Sequence, residues 1–134
     1  MLGTAPTIVR LSLHVTGAAV WVGGQLTLGG LVPTLRRAAP EATAAVARQF
    51  ARLAWPAYVV LLGTGIWNVS ATHPSQQTGA WKAVLSAKIA VVVVAGVAAF
   101  AHQRARARGA LAVWGALAAL SSLSALVMGV ALSG

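Results

Sequence analysis

The sequence has no cysteine and a single acidic residue, Glu41, against ten Lys and Arg. The absence of cysteine excludes a disulfide, a thiolate metal site and a C-x-x-C-H haem attachment. Charged residues make up 8% of the 134 positions and hydrophobic residues 58%. Water-soluble domains carry roughly 25% charged residues, so the balance is that of a membrane protein. The net charge of +9 does not indicate nucleic-acid binding. The basic residues sit at the ends of apolar runs and form no patch interleaved with aromatics.

Four apolar runs remain once the polar segments are set aside, at about 7–35, 50–70, 81–101 and 110–132. Each is long enough for the ~30 Å hydrocarbon core, which takes about 20 helical residues. The first is too long for a signal-peptide core and its basic pair, Arg36 and Arg37, follows the apolar stretch, so it is expected to stay in the mature protein. Residues 36–48 read as a polar, Ala-rich connection with Pro40 and Glu41 suited to a helix start. Residues 71–79 read as the clearest loop and 102–108 as a short basic turn. The expected fold is all-α, a four-helix membrane bundle of up-down-up-down topology. Arg36, Arg37, Arg48, Arg52, Arg104, Arg106 and Arg108 flank the first and third connections, against Lys82 alone at the second. The bias toward the cytoplasmic side places both termini outside, with the protein in the cell (inner) membrane.

Polar residues inside the runs are the functional candidates, because ionisable groups in a membrane are costly. Arg10, His14, Trp21 and Gln25 recur at intervals of four, seven and four, which forms one helical stripe with Gly17 and Gly24 beside it. Those glycines admit a close helix or a flat ligand. Lys88 is the only charge well inside the third run, and the chain offers no nearby carboxylate to neutralise it. Thr64 and Asn68 share a face of the second run, whose Trp55 and Tyr58 near one end and Trp67 near the other read as interfacial aromatics. With topology setting direction, His14, Lys88, Asn68 and Thr64 all fall in the outer half, with Met128 an additional candidate ligand. Ser121, Ala125 and Gly129 form a small-residue packing line in the fourth run, and His102 reads as a headgroup-facing residue among arginines.

The run Leu13-His14, then Ala19 through Gly24, then Leu31, Pro33 and Leu35 to Arg37, resembles the first helix of the copper-resistance D (CopD) membrane domain. Phe50 to Ala54 leading to Thr64-Gly65-Ile66-Trp67-Asn68 resembles its second, and Trp81 followed by Leu85 and Lys88 its third. The likeness covers about 100 residues. It implies a part in copper transport or homeostasis, with His14 as the candidate metal ligand, which Met128 of the fourth run could join by its depth, and a periplasmic copper-binding protein as partner. A more distant likeness, to HemJ-like protoporphyrinogen oxidases, rests on the first-span histidine before W-x-G and the third-span lysine. It implies haem b held by His14, with Trp21 and the glycines lining the ring, and Lys88, Arg10 or Arg52 facing the propionates, and Asn68 among the cofactor-binding residues. The fourth run lacks the Arg, Asn-Glu and Pro features of that group, and no catalytic residue is assigned. A third expectation is a non-catalytic role, packed against a larger membrane complex or a second copy of the chain.

Overall fold

A computed structural model describes residues 2–134. Those residues are helical almost throughout, and no strand occurs among them. The first span is α1 (Ala5–Ala18), one π-helical turn (Ala19–Gly23) and α2 (Gly24–Ala38); α3 is Pro40–Ala71, α4 Gly79–Arg104 and α5 Arg108–Ser133. Four helices are long and apolar enough to cross a membrane, the first being the continuous Ala5–Ala38. Their outer surfaces are apolar to an extent water would not tolerate: Ile66 is 72% exposed, Val15 and Val59 65%, Val130 65%. In hydrocarbon such side chains are at home, and helices satisfy their own backbone groups there. The chain is built as an integral membrane protein.

The helices outrun the apolar stretches that define them. Most of the expected 36–48 connection is helix, and only Ala39 (φ −150°, ψ 67°) breaks it. The cause is Pro40, whose ring disfavours the α region for the residue before it and suits the first helical position. α2 runs on through Pro33, and Arg36 and Arg37 lie in its last turn, where cations complement the helix dipole. At the far end of α3, Thr72 is followed by His73 at φ 49°, the left-handed turn that ends many helices. Thr78 caps α4 by accepting from the Trp81 backbone N–H at 3.2 Å. The basic turn contracts to 105–107.

The chain forms two compact units, Met1–His73 and Pro74–Gly134. Each is a helical hairpin. In the first, His14 meets Thr64, Gly17 meets Ala57 and Leu61, and Gly24 meets Phe50. Residue numbers rise on one helix as they fall on the other, so the helices are antiparallel. A Cβ at Gly17 would stand 3.2 Å from the Ala57 carbonyl oxygen and 3.1 Å from Leu61 Cγ, and one at Gly24 only 2.5 Å from Phe50 Cε2. Glycine at both positions lets the helices approach this closely.

The second hairpin is joined near both ends. The Trp81 indole N–H donates to the Leu132 carbonyl at 3.4 Å, one of the carbonyls that a helix end leaves without an intrahelical partner. At the other end the His102 ring lies against Gly115, and its Nδ1–H donates to the Leu111 carbonyl at 2.8 Å. His102 thus packs on α5 instead of facing headgroups, because Gly115 leaves room for the ring. Buried positions are small: Ala95, Gly96 and Ala98 on α4, and Ala118, Ser121, Ser122 and Ala125 on α5.

The Gly24–Phe50 fit is testable. Gly24→Ala should destabilise the protein by about 1–3 kcal/mol through overpacking, and much less in a Phe50→Leu background, as read by thermal unfolding in detergent. Equal losses in both backgrounds would show that the ring is not the obstacle.

Candidate functional site

Arg10, His14, Thr64 and Asn68 lie toward the open end of the first hairpin, where α1 begins and α3 finishes. His14 and Thr64 face each other, with His14 Nδ1 2.7 Å from Thr64 Oγ1. The Thr64 hydroxyl also lies 2.6 Å from the Val60 carbonyl, one turn back on its own helix. A hydroxyl has one proton, and a carbonyl can only accept. Thr64 therefore donates to Val60 and accepts from His14, so Nδ1 carries a proton and, in the neutral ring, the lone pair resides on Nε2. Thr64 is buried, and the ring also lies near Gly65, whose Cβ would be 3.8 Å from His14 Cε1. The imidazole is thereby fixed in tautomer and orientation, the arrangement that outer-shell partners give to ligating histidines.

One turn outward on each helix stand Arg10 and Asn68, four residues from His14 and Thr64 respectively. The register that pairs His14 with Thr64 brings them to one depth. Arg10 Nε and Nη1 and Asn68 Oδ1 are buried with no hydrogen-bond partner.

Inward from His14, Trp21 is 4% exposed. Its ring centroid is 4.5 Å from that of Tyr58 and 5.5 Å from that of Trp55, and those two are 5.7 Å apart. Such offset and edge contacts suit the aromatic quadrupole. The cluster coincides with irregularity in both helices: Trp21 is in the π-turn, and Pro56 stands within α3, where it offers no N–H to the Arg52 carbonyl. Trp55 and Tyr58 are expected from sequence as interfacial anchors; the structure makes them partners of Trp21.

Of the two occupants expected at Gly17 and Gly24, a close helix or a flat ligand, the structure shows the helix: Ala57, Leu61 and Phe50 of α3 lie against them. Trp21 packs on aromatics of its own hairpin. A groove of about 350 Å³ between α2 and α3 lies on the other side of this cluster; it is apolar, and apart from Gly24 it holds none of the expected residues.

Lys88 and Met128 belong to the second hairpin. The Lys88 ammonium lies against Gly129, where an added Cβ would be 2.9 Å from Nζ. No group of three or more His, Cys, Asp or Glu converges among the described residues. Of the expected ligand and cofactor residues, the structure thus places Arg10, His14, Trp21 and Asn68 in one hairpin, and Lys88 and Met128 in the other. Thr64, read from sequence as a constellation member, emerges as the residue that sets the state of His14.

No protein-family model matches the chain, and neither a curated protein nor a solved structure does.

The proton assignment predicts the effect of removing the hydroxyl. Thr64→Val should cost about 1 kcal/mol and mix the His14 tautomers, seen as a shift in its ring ¹⁵N resonances, while Thr64→Ser should keep the native pattern. Unchanged resonances in Thr64→Val would overturn the assignment.

Proposed function

We propose that the chain is a protein of the cell (inner) membrane that passes copper through a site at His14, in the manner the CopD resemblance implies. Its four spans form an up-down-up-down bundle with both termini outside and the basic connections cytoplasmic. The supporting observation is the chain of bonds from His14 through Thr64 to Val60, which holds in place the ring that would ligate the metal. One imidazole without cysteine holds copper weakly, since soft ligands suit Cu(I). Weak ligation suits transfer more than storage. A periplasmic copper-binding protein is the natural donor or acceptor.

A second reading, haem b, is favoured by the same scarcity of donors. A macrocycle brings its own four nitrogens and needs one axial imidazole. His14 fits that need, whereas Trp21, Gly17 and Gly24 are occupied by packing. Haem would supply one-electron redox chemistry, with His14 providing the ligand atom and Arg10 available to acidic groups.

The two readings separate in one preparation. Copper reading: elemental analysis after copper exposure shows bound copper that falls severalfold in His14→Ala, with no Soret band. Haem reading: a Soret band that His14→Ala abolishes. Neither ligand, with other chains co-purifying, overturns both and favours the subunit role. Topology is tested by single cysteines in this cysteine-free chain. Gln76→Cys should react with an impermeant maleimide on intact cells and Arg106→Cys only after lysis; the reverse pattern would invert the topology.

A further inference from the structure

The guanidinium of Arg10 presents a problem in charge balance. Its Nε and Nη1 are buried and make no hydrogen bond. Arginine stays protonated in proteins, so it cannot escape the cost of burial by losing its proton as a lysine can. The only acidic side chain in the sequence is Glu41. It lies in the first turn of α3, 27 residues from Asn68 along that helix, or about 40 Å at ~1.5 Å per residue. The counter-charge for Arg10 must come from outside the chain.

Depth and neighbours indicate its kind. Arg10 is five residues into a helix that starts at Ala5, about 7–8 Å from its end at ~1.5 Å per residue. In a span that starts at the membrane surface, lipid headgroups meet the hydrocarbon at about that level. Asn68 shares this depth by register, with its own buried Oδ1 unpartnered. The two ends of an amide exchange by rotation, which would turn the NH₂ donors of Asn68 toward the same place. A planar guanidinium fork with an amide donor beside it matches the oxygens of a phosphate.

We infer that Arg10 and Asn68 form a seat for a phosphate group at the outer end of the first hairpin, occupied by the phosphodiester of an anionic phospholipid. The seat does not depend on what His14 holds. It would put a lipid headgroup one helical turn outside that histidine.

The test uses the full chain in maltoside detergent, with bound lipid counted by native mass spectrometry. The probes are phosphatidylglycerol and diacylglycerol of the same acyl chains, which differ in the phosphate. Wild type should retain one phosphatidylglycerol at roughly tenfold lower concentration than diacylglycerol, as expected for one charge-assisted contact. Arg10→Gln should remove the preference, Arg10→Lys should keep part of it, Asn68→Ala should weaken it, and His14→Ala should leave it intact. Competition by millimolar inorganic phosphate would support the seat and identify a free oxyanion as a second occupant; no competition would support the lipid as the sole one. Equal retention of the two lipids by wild type, or a preference that survives unchanged in a folded Arg10→Gln protein, would overturn the inference.

Discussion

The close approach of α1 to α3 at Gly17 is the constraint on which the first hairpin depends. With no side chain at that position, the Ala57 carbonyl and Leu61 come within 3.1–3.2 Å of where a Cβ would be. One turn outward, that closeness lets a short threonine hydroxyl on one helix meet an imidazole on the other at 2.7 Å. One turn inward it lets Trp21 lie against Tyr58 and Trp55. A larger residue at Gly17 would separate the backbones and weaken both at once. Packing and polar chemistry are therefore linked through one position with no functional group of its own.

The hydrogen bonds of the site carry more information inside a membrane than they would in water. A hydroxyl in a helix commonly bonds back to the carbonyl four residues earlier, as Thr64 does to Val60. In water the histidine opposite could exchange partners freely. In hydrocarbon an unpaired polar group costs several kcal/mol, so the back-bond removes one of the two roles Thr64 could play toward His14. A local helix habit thus selects the tautomer of a residue fifty positions away in sequence.

The four helices were legible in the sequence, because length, hydropathy and Pro40 act locally, although α2 and α3 run through most of the expected 36–48 connection. The seam of α5 was legible too, since Ser121 and Ala125 lie at helical spacing and are buried. Three features were not. The π-turn at Ala19–Gly23 leaves apolar periodicity almost unchanged, so the stripe from Arg10 to Gln25 reads as one regular helix. Trp55 and Tyr58 read as interface anchors because aromatic residues near a span end often are; only the register that opposes residue 21 to residues 55–58 reveals their partner. His102 was misread for a related reason. Its arginine neighbours suggested a wet environment, and the signal for packing lay in Gly115, on the next helix.

Polar groups are unevenly distributed along the first hairpin, and their order along it matters. From the open end inward come Arg10 with Asn68, then His14 with Thr64, then Trp21 with its aromatic partners. Each step is about one helical turn or two, and polarity falls at each: a guanidinium, an imidazole held by a hydroxyl, then aromatic rings. Below the imidazole, the Trp21 cluster and the Gly24–Phe50 contact close the space between the helices. Within this hairpin the space beside His14 is thus closed on the side away from Arg10.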